Sequence, residues 1–216
     1  MMWTWPTDVQ AVQPGGRVVT LRPLRRDDRA DWESMRSRNA DWLRPWESTL
    51  PGAAQASPPF GRLRRSYDRA AREGRLVPFV IDTGGRPVGQ MHLFEVQWGS
   101  RWSASAGYWL DRSATGQGLA TWALAMAIDH GLTEVGLHRV EVNVRPDNAS
   151  SLAVVRRLRL PQEGLRRGLI HVDGGWRDHL TFAMTADDPE AGALVTRLRQ
   201  ASEPSVDGGE GVKPHQ

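Results

Sequence analysis

Cysteine is absent from the 216 residues, which excludes a disulfide framework, a thiolate zinc site and a cysteine nucleophile together. Lysine is nearly absent too, Lys213 being the one example, so the 28 cations that face 25 anions are almost all arginine. Arginine does not titrate at accessible pH, and a pI near 10.1 therefore accompanies a formal charge of only +3. So small a net field argues against a nucleic-acid partner. No stretch approaches the ~18 apolar residues that span a bilayer, and the opening Met-Met-Trp-Thr-Trp lacks a basic segment leading into an apolar run. The chain is read as cytoplasmic, with no membrane partner.

What is present suffices for one sizeable domain, since 39% of residues are hydrophobic and glycine adds 22 more. Residues 1–16 read as an N-terminal extension and 17–186 as the domain. Residues 187–216 read as a polar, partly disordered tail with room for a short helix over Glu190 to Gln200. Val18 to Arg22 has the β-branched content of a first strand. Asp27-Asp28 is placed to cap a helix carrying Ala30, Trp32 and Met35. Asn39 to Pro59, rich in Trp, Pro and Gly, reads as loop, and Ser57-Pro58-Pro59 opens a second helix ending at Gly74. Leu76 to Ile81 and Pro87 to Val96 flank a hairpin turn at Asp82-Thr83-Gly84-Gly85, and Ser103 to Leu110 pairs next. A helix follows Gly118 with Leu119, Trp122-Ala123 and Met126-Ala127 in register, stopping at Gly131. Leu137 to Val144 alternates as a strand, Asn148 caps a helix, and Leu169 to Val172 with His179 to Thr185 flank the turn Asp173-Gly174-Gly175.

The segment from Gly107 to Ser151 carries the most information. A strand feeding a glycine-rich turn into a helix aims unpaired backbone N–H groups and the positive end of the helix dipole at one point, which suits a phosphate. The turn lacks the Lys-Ser/Thr ending of a nucleoside-triphosphate loop, and no acidic residue stands where a dinucleotide fold needs one. One strand later, Asn148-x-x-Ser151 follows Arg145-Pro146-Asp147, a spacing that is by itself a helix cap. Arginine clusters at Arg22 to Arg29, Arg62 to Arg72 and Arg156 to Arg167 fit either phosphate contact or solvated helix faces.

Thr115-x-x-Gly118-x-Ala120 resembles the pyrophosphate loop of the GCN5-related N-acetyltransferases (GNAT), whose pattern is Gln/Arg-x-x-Gly-x-Gly/Ala, and Asn148-x-x-Ser151 resembles that family's Asn-x-x-Ser element. Leu43-Arg44-Pro45-Trp46-Glu47, Leu137-His138-Arg139-Val140-Glu141, Glu163-Gly164 and Asp173-Gly174-Gly175-Trp176-Arg177-Asp178-His179 look like the RimJ/RimL branch, the ribosomal-protein alanine N-acetyltransferases. The last of these points to the RimJ side. The resemblance covers about Val18 to Thr185. It implies an α/β fold with a mixed, mostly antiparallel sheet, helices on both faces and a splay between strands four and five. It also implies acetyl-CoA as cosubstrate and no metal. The N–H groups of Gln117, Gly118, Leu119, Ala120 and Thr121 would then hold the pyrophosphate, with Gly118 and Ala120 kept small for close approach. Tyr108, Trp109 and Leu110 would pair with the pantetheine amides, Asn148 would hold the cofactor, and Ser151 would hold it too and protonate the departing thiolate.

Thr115 departs from the usual Gln/Arg, and the usual Leu-Gly-Phe after the last core helix reads Leu158-Arg159-Leu160-Pro161. The place of the glutamate proposed as base in RimL-type relatives falls at Ile170, which leaves the base unassigned. His171 is the first candidate, because imidazole titrates near neutrality. Glu95 and Glu141 are further candidates, whereas His138 reads as structural. The loop Asn39 to Pro59 and the hairpin around Trp176 are expected to form opposite lips of an acceptor groove, with Trp46 and Trp176 gripping a peptide and Glu47 or Asp178 holding its cationic end. The acceptor implied is a protein N-terminal amine, including a ribosomal protein's. The alternatives are a small amine such as an antibiotic or polyamine, and, from another class, a catalytically silent acyl-CoA-binding module. Monomer and homodimer remain open.

Overall fold

The computed structural model describes residues 3–52 and 58–201. Of the expected second helix only Ser57 lies outside these, as do residues 53–56 of the expected loop and the last part of the tail. An eight-stranded sheet runs in the order β1-β2-β3-β4-β5-β6-β8-β7, built from β1 (Val9–Val12), β2 (Val18–Arg22), β3 (Val77–Thr83), β4 (Arg86–Gln97), β5 (Ser103–Leu110), β6 (Arg139–Val144), β7 (Gln162–Val172) and β8 (Gly175–Thr185). Every neighbouring pair is antiparallel except β5 with β6. β1 was not foreseen. It pairs along β2 from Val9↔Leu21 to Val12↔Val18 around Pro14-Gly15-Gly16, so part of the supposed extension belongs to the sheet.

Strand alternation sends side chains to two different layers. One layer holds α4 (Leu119–Thr133), α5 (Ala149–Arg157) and α6 (Leu194–Gln200), and there Phe79, Ile81, Met91, Leu93, Val140 and Val142 meet α4. The other holds α1 (Arg29–Arg38) and α3 (Phe60–Arg72), where Trp32, Met35 and Phe60 pack on Val80 with Trp109 beside them. A short α2 (Ala40–Leu43) and a 3₁₀ turn (Arg44–Trp46) occupy the segment expected to be loop.

α4 continues past the expected stop at Gly131. A Cβ at Gly131 would stand 2.9 Å from Leu93 Cδ1, so this glycine permits close helix–sheet contact and does not end the helix. The short helix in the tail does form. Asp129 of α4 accepts from the N–H groups of Leu194 and Val195, which satisfies donors that the first turn of α6 cannot satisfy itself.

Asp28 makes no side-chain cap to α1. It turns into the interior and takes both Arg22 terminal nitrogens at 2.8 Å, while Arg22 Nε reaches Asp82 Oδ2 at 2.8 Å. Asp82 in turn accepts from Gly85 N–H and Asp28 from Arg25 N–H. One buried guanidinium thus joins β2, the entry to α1 and the β3–β4 turn. Removing a single member of such a group strands the others without a partner in a dry environment. Arg22→Ala is expected to lower unfolding free energy by about 3–5 kcal/mol in urea titration; a loss under about 1 kcal/mol would show that water replaces the guanidinium.

Candidate active site

β5 pairs with β6 only from Ser103↔Arg139 to Ala106↔Val142. Beyond Ala106 both strands continue without bonding each other, to Leu110 and Val144. This is the expected splay, counted one strand later because of β1. Two clefts meet where the strands part. The first, of about 500 Å³, is lined by Tyr108, Trp109, Leu110, Gly118, Leu119, Ala120, Thr121, Asn148, Ser151 and Trp46 among others. The structure therefore gathers every cofactor residue expected from sequence except Gln117.

Gln117 directs its side chain and carbonyl elsewhere, and these bonds leave its N–H uninvolved. Its side chain accepts from Arg17 and donates to Ser113 O, and its carbonyl accepts from Gln13 Nε2 at 3.4 Å. The β1–β2 turn thus braces the glycine loop from behind. Gly118 takes φ 74 and ψ −4, a left-handed conformation that favours glycine. α4 starts directly after it without a side-chain cap, leaving first-turn N–H groups to point into the cleft. Across the cleft, Asn148 Oδ1 accepts from Ser151 N–H at 3.0 Å and closes the start of α5. Ser151 lines the same cleft. The Tyr108 hydroxyl is buried with no hydrogen-bond partner among the described residues. Uncapped amides, a glycine cradle and an unused hydroxyl are what a long, polar, anionic ligand such as acetyl-CoA would satisfy.

Sequence reasoning missed several lining residues. Arg157, at the end of α5, brings a cation to the cleft and reaches Thr121 Oγ1 at 3.3 Å. The cluster Arg156 to Arg167 signalled a phosphate-binding cation without singling one out. Trp42, one helical turn before Trp46, also lines the cleft.

The second cleft, of about 420 Å³, is lined by Glu95, Ser105, Gly107, Glu141, Arg166, Ile170 and neighbours. Glu95 stands at a β-bulge in β4, between Phe94 and Gln97, with φ 53. A bulge re-aims a side chain, and the Glu95 carboxylate accepts from the Ser105 hydroxyl at 3.4 Å with no ion pair among the described residues. Glu141 is held between Arg139 at 2.9 Å and Arg166 at 3.1 Å.

His171 lines neither cleft. Leu169 and Ile170, next to an irregularity in β7, line the second cleft, while His171 Nδ1 meets Thr49 Oγ1 at 2.7 Å and the ring packs edge-on to Trp176. His138 pairs with Asp187 at the surface. The loop and hairpin expected as opposite lips are joined instead: Ser48 bridges Val172, and Thr49 N–H donates to His171 O at 2.8 Å. Of the four expected acceptor residues Trp46 lines the first cleft, with the Arg145 guanidinium stacked 5.0 Å above its ring, and the other three line neither of the two clefts. Glu47 is paired with Arg36, Asp178 accepts from Gly168 N–H, and Trp176 stands 63% exposed on the hairpin.

Among the described residues no cluster of His, Cys, Asp or Glu has the makings of a metal site, and no helix is long and apolar enough to cross a membrane. Comparison with known proteins agrees with this geometry. The profile of the acetyltransferase (GNAT) domain matches residues 19–160. The structure of Mycobacterium smegmatis RimJ in complex with CoA-disulfide superposes with a TM-score of 0.84 at 40% identity, covering 93% of this chain and 97% of that one. The [ribosomal protein uS5]-alanine N-acetyltransferase of Escherichia coli is 32% identical over 187 residues, covering 81% of this chain and 93% of the relative. Spermidine N(1)-acetyltransferase of the same species is 26% identical over 79% of this chain and 88% of its own length. With its glycine loop, its Asn-x-x-Ser cap and its splayed strands in place, the chain belongs to the GNAT acetyltransferase family and transfers an acetyl group to an amine.

Proposed function

We propose that this protein acetylates the N-terminal α-amine of a protein, with a ribosomal protein as the leading acceptor, in the cytoplasm. One observation carries the reading: the two clefts lie on either side of the point where β5 leaves β6, Gly107 lining one and Tyr108 the other. A cosubstrate on one side and an acceptor on the other would meet there without crossing. Bound acetyl-CoA supplies an acyl group already activated as a thioester, so the protein has to position the amine, take its proton and give one to the leaving sulfur.

The N–H groups around Gly118 and the Arg157 guanidinium would hold the pyrophosphate, with Asn148 closing the far wall. Ser151 donates a proton to the thiolate. The base role passes from His171, which is spent on Thr49, to Glu95, which reaches the acceptor cleft unpaired by any described cation. An N-terminal amine with a free pKa near 8 has a useful neutral fraction at working pH, so a modest carboxylate base suffices. The charges of the acceptor cleft favour a peptide over a polyamine. Arg101 and Arg166 line it, and Glu141 is neutralised by Arg139 and Arg166, leaving Glu95 to face a cation. A polycation needs several free carboxylates, whereas an amine followed by neutral main chain needs one. The RimJ and uS5-alanine acetyltransferase likenesses support the same acceptor class, and the spermidine enzyme is the more distant of the three in sequence.

Thiol release from acetyl-CoA is expected with an alanine-initiated peptide, and not with the same peptide blocked at its N-terminus or with spermidine; preference for spermidine would overturn the acceptor assignment. Apparent kcat/KM for the peptide should rise with pH toward about 8 as the amine loses its proton. Ser151→Ala is expected to lower kcat by about 10²-fold with the KM for acetyl-CoA little changed. Equal loss of cofactor affinity would make Ser151 a binding residue.

Cofactor binding has its own test. Gly118→Asp and Gly118→Asn place side chains of matched shape at one left-handed position, and both residue types tolerate that conformation better than most. They differ in charge where a pyrophosphate is to sit. Calorimetry is expected to show coenzyme A binding weakened at least tenfold more by Asp than by Asn, and equal weakening would remove the pyrophosphate from this loop.

A further inference from the structure

The sequence contains two tyrosines, and their hydroxyls are treated differently. Tyr67 reaches Gln90 Oε1 at 3.5 Å under α3. The Tyr108 hydroxyl is buried and makes no hydrogen bond among the described residues, although its ring lines the cofactor cleft. Burial pushes its pKa up to about 12, and hydrogen-bonding influence from the Ser151 hydroxyl pulls the other way. The phenol is thus protonated at every working pH, and Ser151 is its neighbour on the same cleft. Phenylalanine would fill this space without leaving a buried polar atom unsatisfied. A hydroxyl kept there at that disadvantage acquires its partner in the bound state.

We propose that Tyr108 is a positioning residue that acts through Ser151: with the cofactor in place, its O–H donates to Ser151 Oγ and turns the serine's own proton toward the sulfur. The inference rests on the assignment of Ser151 as proton donor. A serine hydroxyl free to rotate spends its proton on any acceptor within reach, whereas a donor bound to its oxygen leaves one direction for the proton and offsets the negative charge that grows on that oxygen as the proton leaves. The step balances. The amine lone pair forms the N–C bond, the C–S pair leaves on sulfur, the Ser151 proton goes to sulfur, and the serine oxygen regains a proton from solvent, to which Glu95 passes the one lost by the amine. Tyr108 begins and ends the cycle protonated.

Both residues line the first cleft. Tyr108 lies two residues past Ala106, the last β5 residue paired to β6, and Ser151 is on the first turn of α5, fixed there by the Asn148 cap. They come from the two elements that open the splay, β5 and the helix that follows β6.

Two measurements test the inference. Thiol release from acetyl-CoA is followed with an alanine-initiated peptide and, without peptide, as the slower transfer to water, in Tyr108→Phe, Ser151→Ala and the double variant. Tyr108→Phe is expected to lower kcat tenfold or more in both assays with the KM for acetyl-CoA within about twofold, and the double variant to be no slower than Ser151→Ala alone. Multiplicative losses in the double variant, or an unchanged kcat in Tyr108→Phe, would overturn the inference; an unchanged kcat in Ser151→Ala would instead overturn the assignment of Ser151. The second readout is the ¹³Cζ resonance of labelled tyrosine, assigned to Tyr108 in a Tyr67→Phe background. Coenzyme A is expected to shift it, and Ser151→Ala to abolish that shift. A coenzyme A-induced shift that persists without the Ser151 hydroxyl would mean that Tyr108 bonds the ligand directly, and the positioning role would fail.

Discussion

Two parallel strands that stop bonding halfway along their length leave a row of backbone N–H and C=O groups with no sheet partner. Such groups must be satisfied by something else. In this protein β5 and β6 pair over four residues and then part. Most of the rest of the molecule follows from holding that gap open. The glycine loop and the uncapped start of α4 face it from one strand, the Asn148 cap and the start of α5 from the other. The gap thus lies between two helix N-termini, each of which favours negative charge. An extended ligand with amides along its length and phosphates at one end satisfies the strand edges and the helix ends together.

Keeping a gap in a sheet requires rigid surroundings, and the structure supplies them as buried polar joints. Arg22, Asp28 and Asp82 lock the first helix to the strands. Asp111, directly after β5, is held by Arg38, by Ser113 N–H and by the buried Asn39, which also accepts from Arg112 N–H. Burial works against the Asp111 carboxylate, but these donors outweigh it and hold its pKa below the usual range. The joint ties the α1–α2 corner to the segment that leads into the glycine loop. Trp42 and Trp46, which line the first cleft, are thereby tied to the loop that lines it with them. Arg145 completes the frame by donating to Pro45 O at 2.6 Å and stacking on Trp46.

The sequence is legible where local chemistry decides the outcome. Ser103 to Leu110 and Val18 to Arg22 are strands with the expected bounds, because β-branched and aromatic runs are cut off by glycine or charged turns. Asn148 caps its helix because a side-chain amide beside free N–H groups has one obvious partner. Long-range packing decides the rest. Gly131 looks like a stop signal but lies inside α4, where Leu93 and Val140 leave no space for a methyl group. Asp28 looks like a cap and is drawn inward by Arg22, six residues away. His171 looks like a base but is taken up by Thr49 and Trp176, while Leu169 and Ile170 line the cleft. β1 was readable and overlooked: Pro14-Gly15-Gly16 between two apolar runs is a hairpin signal, and the hairpin's turn braces Gln117.

The gap between β5 and β6 is the proposed reaction centre. A crystal structure of the protein grown with coenzyme A tests that assignment most directly. Pyrophosphate oxygens are expected within hydrogen-bond distance of N–H groups between Gln117 and Thr121, pantetheine amides along Tyr108 to Leu110, and the sulfur beside Ser151, directed toward the second cleft. Coenzyme A bound with its phosphates on the loop but its sulfur directed away from Ser151 and the second cleft, or bound elsewhere on the molecule, would contradict it.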